Sequence, residues 1–173
     1  NPLASIELMT GLIEEDLAAG HSPGELIGRI RSAVRAMNHT VTNILLYTRN
    51  LHVAPAEFSV AELVDQSVAG IAELVNKKRL QVVRDSPDAT VCADFDLLNQ
   101  GLLNLLLNAA QAAPEGGTVE IRARVADHEL HVSVRDDGPG IPEGIRDQVF
   151  LPFFTTKTTG TGLGLAMVKR AIE

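Results

Sequence analysis

Two asparagines, Asn104 and Asn108, interrupt a run of leucines and alanines. A spacing of four residues places both carboxamides on one face of a helix, about 6 Å apart along its axis. Both amides need partners, because a buried polar group without a hydrogen bond is costly. Two interpretations stay open. Either the amides bond neighbouring backbone, or their oxygens face a cleft that holds Mg²⁺, which prefers oxygen ligands and is shared with nucleotide phosphates.

A second polar segment, Asp136–Ile141, follows a stretch of alternating apolar residues. Its glycines, Gly138 and Gly140, would let the backbone pass close to a flat ligand. A carboxylate at the end of a strand, here Asp136, can accept a hydrogen bond from the exocyclic amine of adenine, whereas it would repel the carbonyl of guanine. Taken alone, the segment is more simply interpreted as an Asp-Gly turn.

A glycine-rich turn opens the last predicted helix and comprises Gly160, Thr161, Gly162, Leu163 and Gly164. Its backbone N–H groups and the helix N-terminus favour an anion, and Lys157 just before it adds a positive charge. The segment is neither a Rossmann fingerprint nor a P-loop, because no strand directly precedes it and no Gly-Lys-Ser/Thr ending follows. Alone, it is weak evidence for a triphosphate site.

The composition restricts the partners and the compartment. With 15 Lys and Arg against 22 Asp and Glu, the 173-residue chain carries a formal charge of −7, which disfavours nucleic acid and anionic lipid surfaces. Cys92 is the only cysteine, which excludes a disulfide framework and indicates a reducing compartment. No apolar run reaches the about 18 residues that span a bilayer. We therefore expect a cytoplasmic chain without membrane contact or nucleic-acid partner.

The elements that must hold these residues begin with a heptad pattern, whose apolar positions are Ile27, Ile30, Val34, Met37, Val41, Ile44 and Leu51. Steps of three and four indicate a helix that packs against other helices. Together with a shorter helix before Gly20, this pattern predicts an antiparallel helical hairpin over residues 1–53. One hairpin cannot enclose its own seam, so we expect a four-helix bundle in a homodimer. The alternative is a contact with the rest of the same chain.

Residues 54–173 form the second predicted unit, which makes the chain α+β. A linker is expected around residues 52–56, helices over 60–76 and 95–113, and strands over 80–83, 90–93, 119–125 and 130–134, the last two joined by a turn at Asp127 and His128. These assignments rest on helical and alternating apolar periodicity. Residues 136–164 are rich in Gly, Pro and Thr and are expected to form a functional lid. A last helix begins at Leu165.

The combination of motifs is more specific than any one of them. In chain order there are paired asparagines on a helix, a strand hairpin, Asp-x-Gly-x-Gly, a phenylalanine-rich lid, and Gly-x-Gly-x-Gly before a helix. Over residues 56–173 this order closely resembles the catalytic and ATP-binding domain of sensor histidine kinases, in the Bergerat-fold superfamily. The hairpin before it resembles that family's dimerisation and histidine-phosphotransfer domain.

The resemblance implies an α/β sandwich, a mixed sheet covered by helices, with ATP and Mg²⁺ between the Asn-bearing helix and the lid. By motif, Asn108 would ligate Mg²⁺ with Asn104 in support, and Asp136 would bind the adenine amine. The other residues implied to contact the nucleotide are Gly138, Gly140, Ile141, Lys157, Gly160, Thr161, Gly162, Leu163 and Gly164. Phe150, Phe153 and Phe154 would anchor the lid or, alternatively, form local core.

Three features depart from the family pattern. Asn1 matches the position four residues after the phospho-accepting histidine, where it would orient the water that dephosphorylates the partner. The acceptor histidine is therefore expected just before residue 1, inside a longer protein. The sequence stops at Glu173, before the family's closing strands. Asp137 stands where many relatives have Asn and adds negative charge near the base.

The implied function is phosphoryl transfer from ATP to a histidine, and then to an aspartate on the receiver domain of a response regulator. This would occur in the cytoplasm or in the cytoplasmic part of a membrane-bound sensor. We expect residues 1–173 to bind ATP without autophosphorylation. One alternative is an ATP-hydrolysing clamp of the same superfamily, which would need a glutamate where this sequence has Asn104. The other is a non-catalytic dimeric module, against which the complete set of motifs argues.

Overall fold

The computed structural model describes Val34, Val41, residues 53–157 and residues 161–172. The predicted hairpin over residues 1–53 lies almost wholly outside the described residues, and Asn1 and Gly160 lie outside them too. The hairpin and the roles of these two residues therefore stay predictions. Val34 and Val41, one heptad apart in the predicted seam, are both helical. Their side chains are 47% and 45% exposed.

The described part of residues 56–172 contains five short strands, four helices and one 3-10 turn. In chain order the elements are β1 (Ala56–Ser59), α1 (Val60–Ala69), α2 (Ala72–Lys78), β2 (Gln81–Asp85), β3 (Thr90–Ala93), α3 (Phe95–Ala112), β4 (Thr118–Ala126), β5 (Glu129–Asp136), a 3-10 turn (Glu143–Ile145) and α4 (Gly164–Ile172). The carboxylate of Asp94 caps α3 by accepting a hydrogen bond of 3.0 Å from the Leu97 N–H, a preferred way to satisfy the first turn of a helix.

The strands form two small sheets. The three-stranded sheet has the order β2-β4-β5, with β2 parallel and β5 antiparallel to β4. The predicted turn between β4 and β5 is confirmed, and Asp127 and His128 both have positive φ angles, 53° and 65°, as a tight hairpin turn requires. The two-stranded sheet pairs β1 with β3 in antiparallel register.

The core lies between one face of the three-stranded sheet and the helices. Val119, Ile121 and Ala123 alternate along β4 and are fully buried. They belong to the same apolar cluster as Leu106 and Ala110 of α3. On the opposite face of β4, Arg122 and Arg124 are exposed. Over the described residues, the predicted combination of a mixed sheet with helices packed on it is therefore confirmed.

Two local predictions were wrong. The helix expected over residues 60–76 breaks at Gly70 and Ile71 into α1 and α2. Gly70 is in close contact with α3, because a Cβ built on it would lie only 2.6 Å from Leu103 Cδ1. The expected linker around residues 52–56 ends one residue early, because Ala56 already belongs to strand β1, which the sequence did not predict and which pairs with β3.

Within the described ranges, none of the helices combines the length and apolar character that crossing a membrane would need.

Candidate functional site

The two asparagines of α3 face the start of α4. Asn104 is almost completely buried, with 2% of its surface exposed. A Cβ built on Gly164, the first residue of α4, would lie 3.5 Å from Asn104 Oδ1 and 3.8 Å from Asn108 Nδ2. Leu163, Ala166 and Met167 are buried at this junction. The fold thus brings the asparagine pair and the glycine-rich turn together, as the motif order indicated.

Lys157 joins the lid to α3. Its Nζ donates hydrogen bonds to Asn108 Oδ1 at 3.1 Å and to Gln111 Oε1 at 2.5 Å. Asn108 and Gln111 are three residues apart and share one face of α3. Burial lowers the pKa of the Lys157 ammonium from its usual value, because desolvation penalises the charged form.

The contact between Lys157 and Asn108 bears on whether the site suits Mg²⁺. The amide oxygen of Asn108 already faces a cation, the Lys157 ammonium, and amide oxygens are among the ligands that a hard divalent cation accepts. The Asn108 amide oxygen therefore fits a metal ion and is the candidate ligand. A metal ion at this oxygen and the Lys157 ammonium would repel each other, because both are positively charged.

Asp136 ends β5 and Asp137 follows it, and their carboxylates have different partners. Asp136 is partly buried, and its Oδ1 accepts a hydrogen bond of 2.9 Å from the Gly138 N–H. Asp137 Oδ2 instead accepts a hydrogen bond of 2.8 Å from the Thr118 N–H, at the start of β4. Asp137 therefore supports the neighbouring strand, whereas Asp136 is held against the loop that follows β5.

That loop packs directly on the C-terminal end of α3. A Cβ built on Gly138 would lie 2.7 Å from the Ala112 carbonyl oxygen and 2.6 Å from Asp136 Oδ1. Both distances are shorter than real Cβ contacts, so only glycine fits at this position. The two proposed parts of the site, the Asp136 loop and the Asn108 face, thus meet on the same helix. Gly140 and Ile141 follow in the loop and are exposed.

A backbone hydrogen bond joins two parts of the lid. The Phe153 N–H donates to the Gly162 carbonyl at 2.9 Å, and both residues have positive φ angles, 65° and 68°. A Cβ on Gly162 would come within 2.3 Å of the Phe153 carbonyl carbon, so a side chain cannot be accommodated there. The Phe150 and Phe153 side chains are 44% and 69% exposed, so their interpretation as local core was wrong.

Comparisons with known proteins agree on one family. Residues 93–173 match the model of the histidine kinase-, DNA gyrase B- and HSP90-like ATPases. The solved catalytic domain of histidine kinase ThkA is 36% identical, with a TM-score of 0.64, and the match covers 69% of this chain and 80% of that one. The chain belongs to the histidine kinase family.

Two further matches cover almost the whole chain. Sensor histidine kinase ZraS of Escherichia coli (strain K12) is 33% identical over 175 residues, a match that covers 100% of this chain and 38% of ZraS. A crystal structure of ThkA in complex with the response regulator protein TrrA is 28% identical, with a TM-score of 0.69, and the match covers 99% of this chain and 51% of that one. The chain thus spans well under half of the curated relative.

The candidate site includes a residue that motif reasoning missed. Gln111 shares Lys157 with Asn108, and its position one helical turn after Asn108 was the signal that could have identified it. Thr161 is described and partly buried, and its Oγ1 accepts a long hydrogen bond of 3.4 Å from the Leu163 N–H. The nucleotide contacts assigned to these residues stay predictions.

A shallow groove of about 290 Å³ lies elsewhere on this histidine kinase, between α1, α2 and β2, and is lined by residues such as Val68, Val75 and Val82. None of its lining residues belongs to the motifs described above. The proposed chemistry therefore rests on the asparagine face, the Asp136 loop and the lid.

Proposed function

We propose that the chain is the kinase core of a two-component sensor histidine kinase, which transfers the γ-phosphoryl group of ATP to a histidine. The observation that carries the proposal is the double contact of Lys157 with Asn108 and Gln111. It places a positive charge from the lid against an oxygen-rich face of α3. Phosphoryl transfer needs such positioning and charge neutralisation around the phosphates.

Each part of the site has a proposed role. The Asp136 carboxylate accepts a hydrogen bond from the adenine amine, while Gly138 and Gly140 allow the base to approach. Asn108, supported by Asn104, holds Mg²⁺, which when bound neutralises charge on the phosphates. Lys157 and the backbone N–H groups of residues 160–164 hold the phosphates. Ile141 contacts the nucleotide from the loop after β5.

The reaction proceeds in two steps. A nitrogen of the acceptor imidazole attacks the γ-phosphorus, and the bond between that phosphorus and the β,γ-bridging oxygen breaks to release ADP. The phosphoryl group then passes to an aspartate carboxylate of a response regulator, which restores the imidazole. The likeness to ThkA, which was solved with a response regulator, supports this second step. We propose a cytoplasmic homodimer, dimerised through the hairpin over residues 1–53.

None of the five histidines in the chain, at positions 21, 39, 52, 128 and 131, matches the family's acceptor position. We therefore propose that residues 1–173 bind ATP without phosphorylating themselves, and that Asn1 contributes to dephosphorylation of the partner in the whole protein. Incubation with γ-labelled ATP, followed by alkaline gel separation, checks this proposal. Label retained on the chain as acid-labile phosphohistidine would contradict it.

A binding experiment tests the core of the proposal. The chain is titrated with a non-hydrolysable ATP analogue, with and without Mg²⁺, beside the variants Asn108→Ala and Asp136→Ala. We expect Asn108→Ala to lose the Mg²⁺ dependence and Asp136→Ala to lose affinity in both conditions, while Asp88→Ala, a change in the β2–β3 connection, serves as the control. An absence of binding by the parent chain would favour the non-catalytic module instead.

A further inference from the structure

The last turn of α3 ends in a way that leaves backbone oxygens without helical partners. Pro114 follows the helix and has no N–H, so the Ala110 carbonyl lacks the donor that it would receive from the residue four positions later. The carbonyls of Gln111 and Ala113 lie beyond the last helical hydrogen bond, which runs from the Ala113 N–H to the Ala109 carbonyl. These three carbonyl oxygens therefore need donors from outside the helix.

A single side chain supplies them. The Nζ of Lys78, at the end of α2, donates to the carbonyls of Ala110 and Gln111 at 3.0 Å each and also to the carbonyl of Ala113. An ammonium group has three donors, and all three are used here. Its charge also complements the negative end of the α3 dipole. The backbone takes part too, since the Lys78 carbonyl accepts a hydrogen bond of 2.8 Å from the Gly116 N–H.

The turn that Lys78 holds is the surface on which the proposed base-binding loop rests. The Ala112 carbonyl lies so close to Gly138 that a Cβ built there would be 2.7 Å from its oxygen. On the other side, the Asp137 carboxylate bonds the Thr118 N–H, directly after the turn at residues 113–117. A shift of this turn would therefore move the Asp136 loop and the strand start that supports it.

The same turn also contains Gln111, which contacts the proposed phosphate-binding residue Lys157. Gln111, whose carbonyl is bonded by Lys78, uses its side chain to hold Lys157. The three hydrogen bonds of Lys78 Nζ described above all go to backbone carbonyls at the end of α3. The proposed role of Lys78 does not require a contact with the lid or with a predicted nucleotide-binding residue. Its influence acts through the position of the helix end.

We infer that Lys78 is a positioning residue for the nucleotide: it fixes the C-terminal turn of α3, and with it the placement of the Asp136 loop and of Gln111. The inference rests on the proposed nucleotide site. It names a role for a residue that lies behind the site and that no sequence motif marks.

The test compares the variant Lys78→Met with three others in the full chain. Lys77→Met removes the neighbouring exposed lysine, and Lys78→Arg keeps the charge and donors. Leu74→Ala removes apolar packing from the same helix and leaves the three hydrogen bonds of Lys78 in place. Affinity for an ATP analogue and for adenosine is measured beside the free energy of unfolding in urea. We expect Lys78→Met to weaken both ligands about tenfold, the effect of losing a hydrogen bond to a buried group.

The controls separate positioning from general destabilisation. We expect Lys77→Met and Leu74→Ala to keep the parent affinity, although Leu74→Ala lowers the free energy of unfolding, and we expect Lys78→Arg to recover most of the affinity. Parent-like binding by Lys78→Met, or a loss of affinity in Leu74→Ala that matches its loss of stability, would overturn the inference. If Lys78→Met is unfolded in buffer, all variants are compared in trimethylamine N-oxide, which favours the folded state.

A second measurement does not depend on binding. In amide NMR spectra without nucleotide, we expect Lys78→Met to shift the signals of Gly138 and Thr118, and Lys77→Met to leave them in place. Unchanged Gly138 and Thr118 signals in Lys78→Met would overturn the inference whether or not the chain binds ATP. Failure of the parent to bind ATP while these signals shift would instead count against the proposed function alone.

Discussion

Lys157 Nζ and Asn108 Oδ1 are 3.1 Å apart, so the lid and the asparagine-bearing helix are joined by a direct hydrogen bond. The ammonium occupies one side of the oxygen that the proposed metal ion would use. In the proposed site, Asn108 would hold Mg²⁺ and Lys157 would hold the phosphates, so the same contact would link metal binding to the position of the lid.

Replacement of Lys157 by Met should remove affinity for phosphates and spare affinity for the base. Without Mg²⁺, where the lysine has no competitor, we expect the dissociation constant for ATP to rise about tenfold to a hundredfold, the range for a lost charge-assisted hydrogen bond. Adenosine has no phosphates, so its affinity should stay the same. Calorimetric titrations with both ligands check this, and Lys157→Arg should bind ATP better than Lys157→Met. Equal losses for ATP and adenosine would contradict the assigned role.

Replacement of Asp136 by Asn should weaken selection of adenine. Asn keeps an oxygen for the Gly138 N–H but offers an amide donor that guanine's carbonyl accepts, so we expect ATP affinity to fall about tenfold and the preference for ATP over GTP to shrink. Competition titrations with both nucleotides measure this. The matched control is Asp137→Asn, which keeps an acceptor for the Thr118 N–H. A loss of ATP affinity in Asp137→Asn as large as in Asp136→Asn would argue against the assignment.

A methyl group at Gly138 should be destabilising, because it would clash with the Ala112 carbonyl and Asp136 Oδ1. For Gly138→Ala we expect a loss of about 1–3 kcal/mol in the free energy of unfolding, typical of overpacking, together with weaker ATP binding. Gly144→Ala is the control, since a Cβ there has nothing within 4 Å, and its stability should be unchanged or higher by up to about 1 kcal/mol. Urea denaturation compares the two. Equal stability of both variants would refute the close-packing argument.

Gly164 allows a prediction that separates folding from binding. A methyl group there would be in ordinary contact with Asn104 and Asn108, so Gly164→Ala should fold with unchanged or slightly higher stability. The methyl would nevertheless stand over the amides that face the proposed metal and phosphates, and ATP affinity should fall at least about tenfold. Gly101→Ala, whose Cβ would contact only Ala171 at 3.6 Å, controls for the same helix interface. Unimpaired ATP binding by Gly164→Ala would move the phosphate site elsewhere.

Local sequence signals predicted the elements that carry the motifs. Alternating apolar residues identified β4 and β5, and Asp-His between them gave the turn, because these features depend on neighbours along the chain. Strand β1 was missed for the opposite reason. Its residues follow Pro55 and are held by β3, with Ala56 opposite Ala93, a pairing that no local pattern announces.

Sequence reasoning identified Lys157 in the candidate site but not Lys78 behind it. Lys157 was identified because it precedes a glycine-rich turn. Lys78 stands beside Lys77 in the sequence, and only the fold shows which of them reaches the end of α3. Pro114 was a usable hint, since a proline after a helix leaves a carbonyl unpaired, but it could not name the donor. Similarly, the break at Gly70 depends on Leu103, which lies more than thirty residues away.

Helix α3 has one further consequence for how nucleotide enters and leaves. Leu106 and Ala110 on one side of this helix are fully buried, while Asn108 on another side faces the lid through Lys157. The helix cannot fray to free a ligand without breaking the apolar cluster that it shares with β4. In the proposed nucleotide site, α3 would therefore act as the fixed wall, and exchange of ADP for ATP would proceed by motion on the lid side.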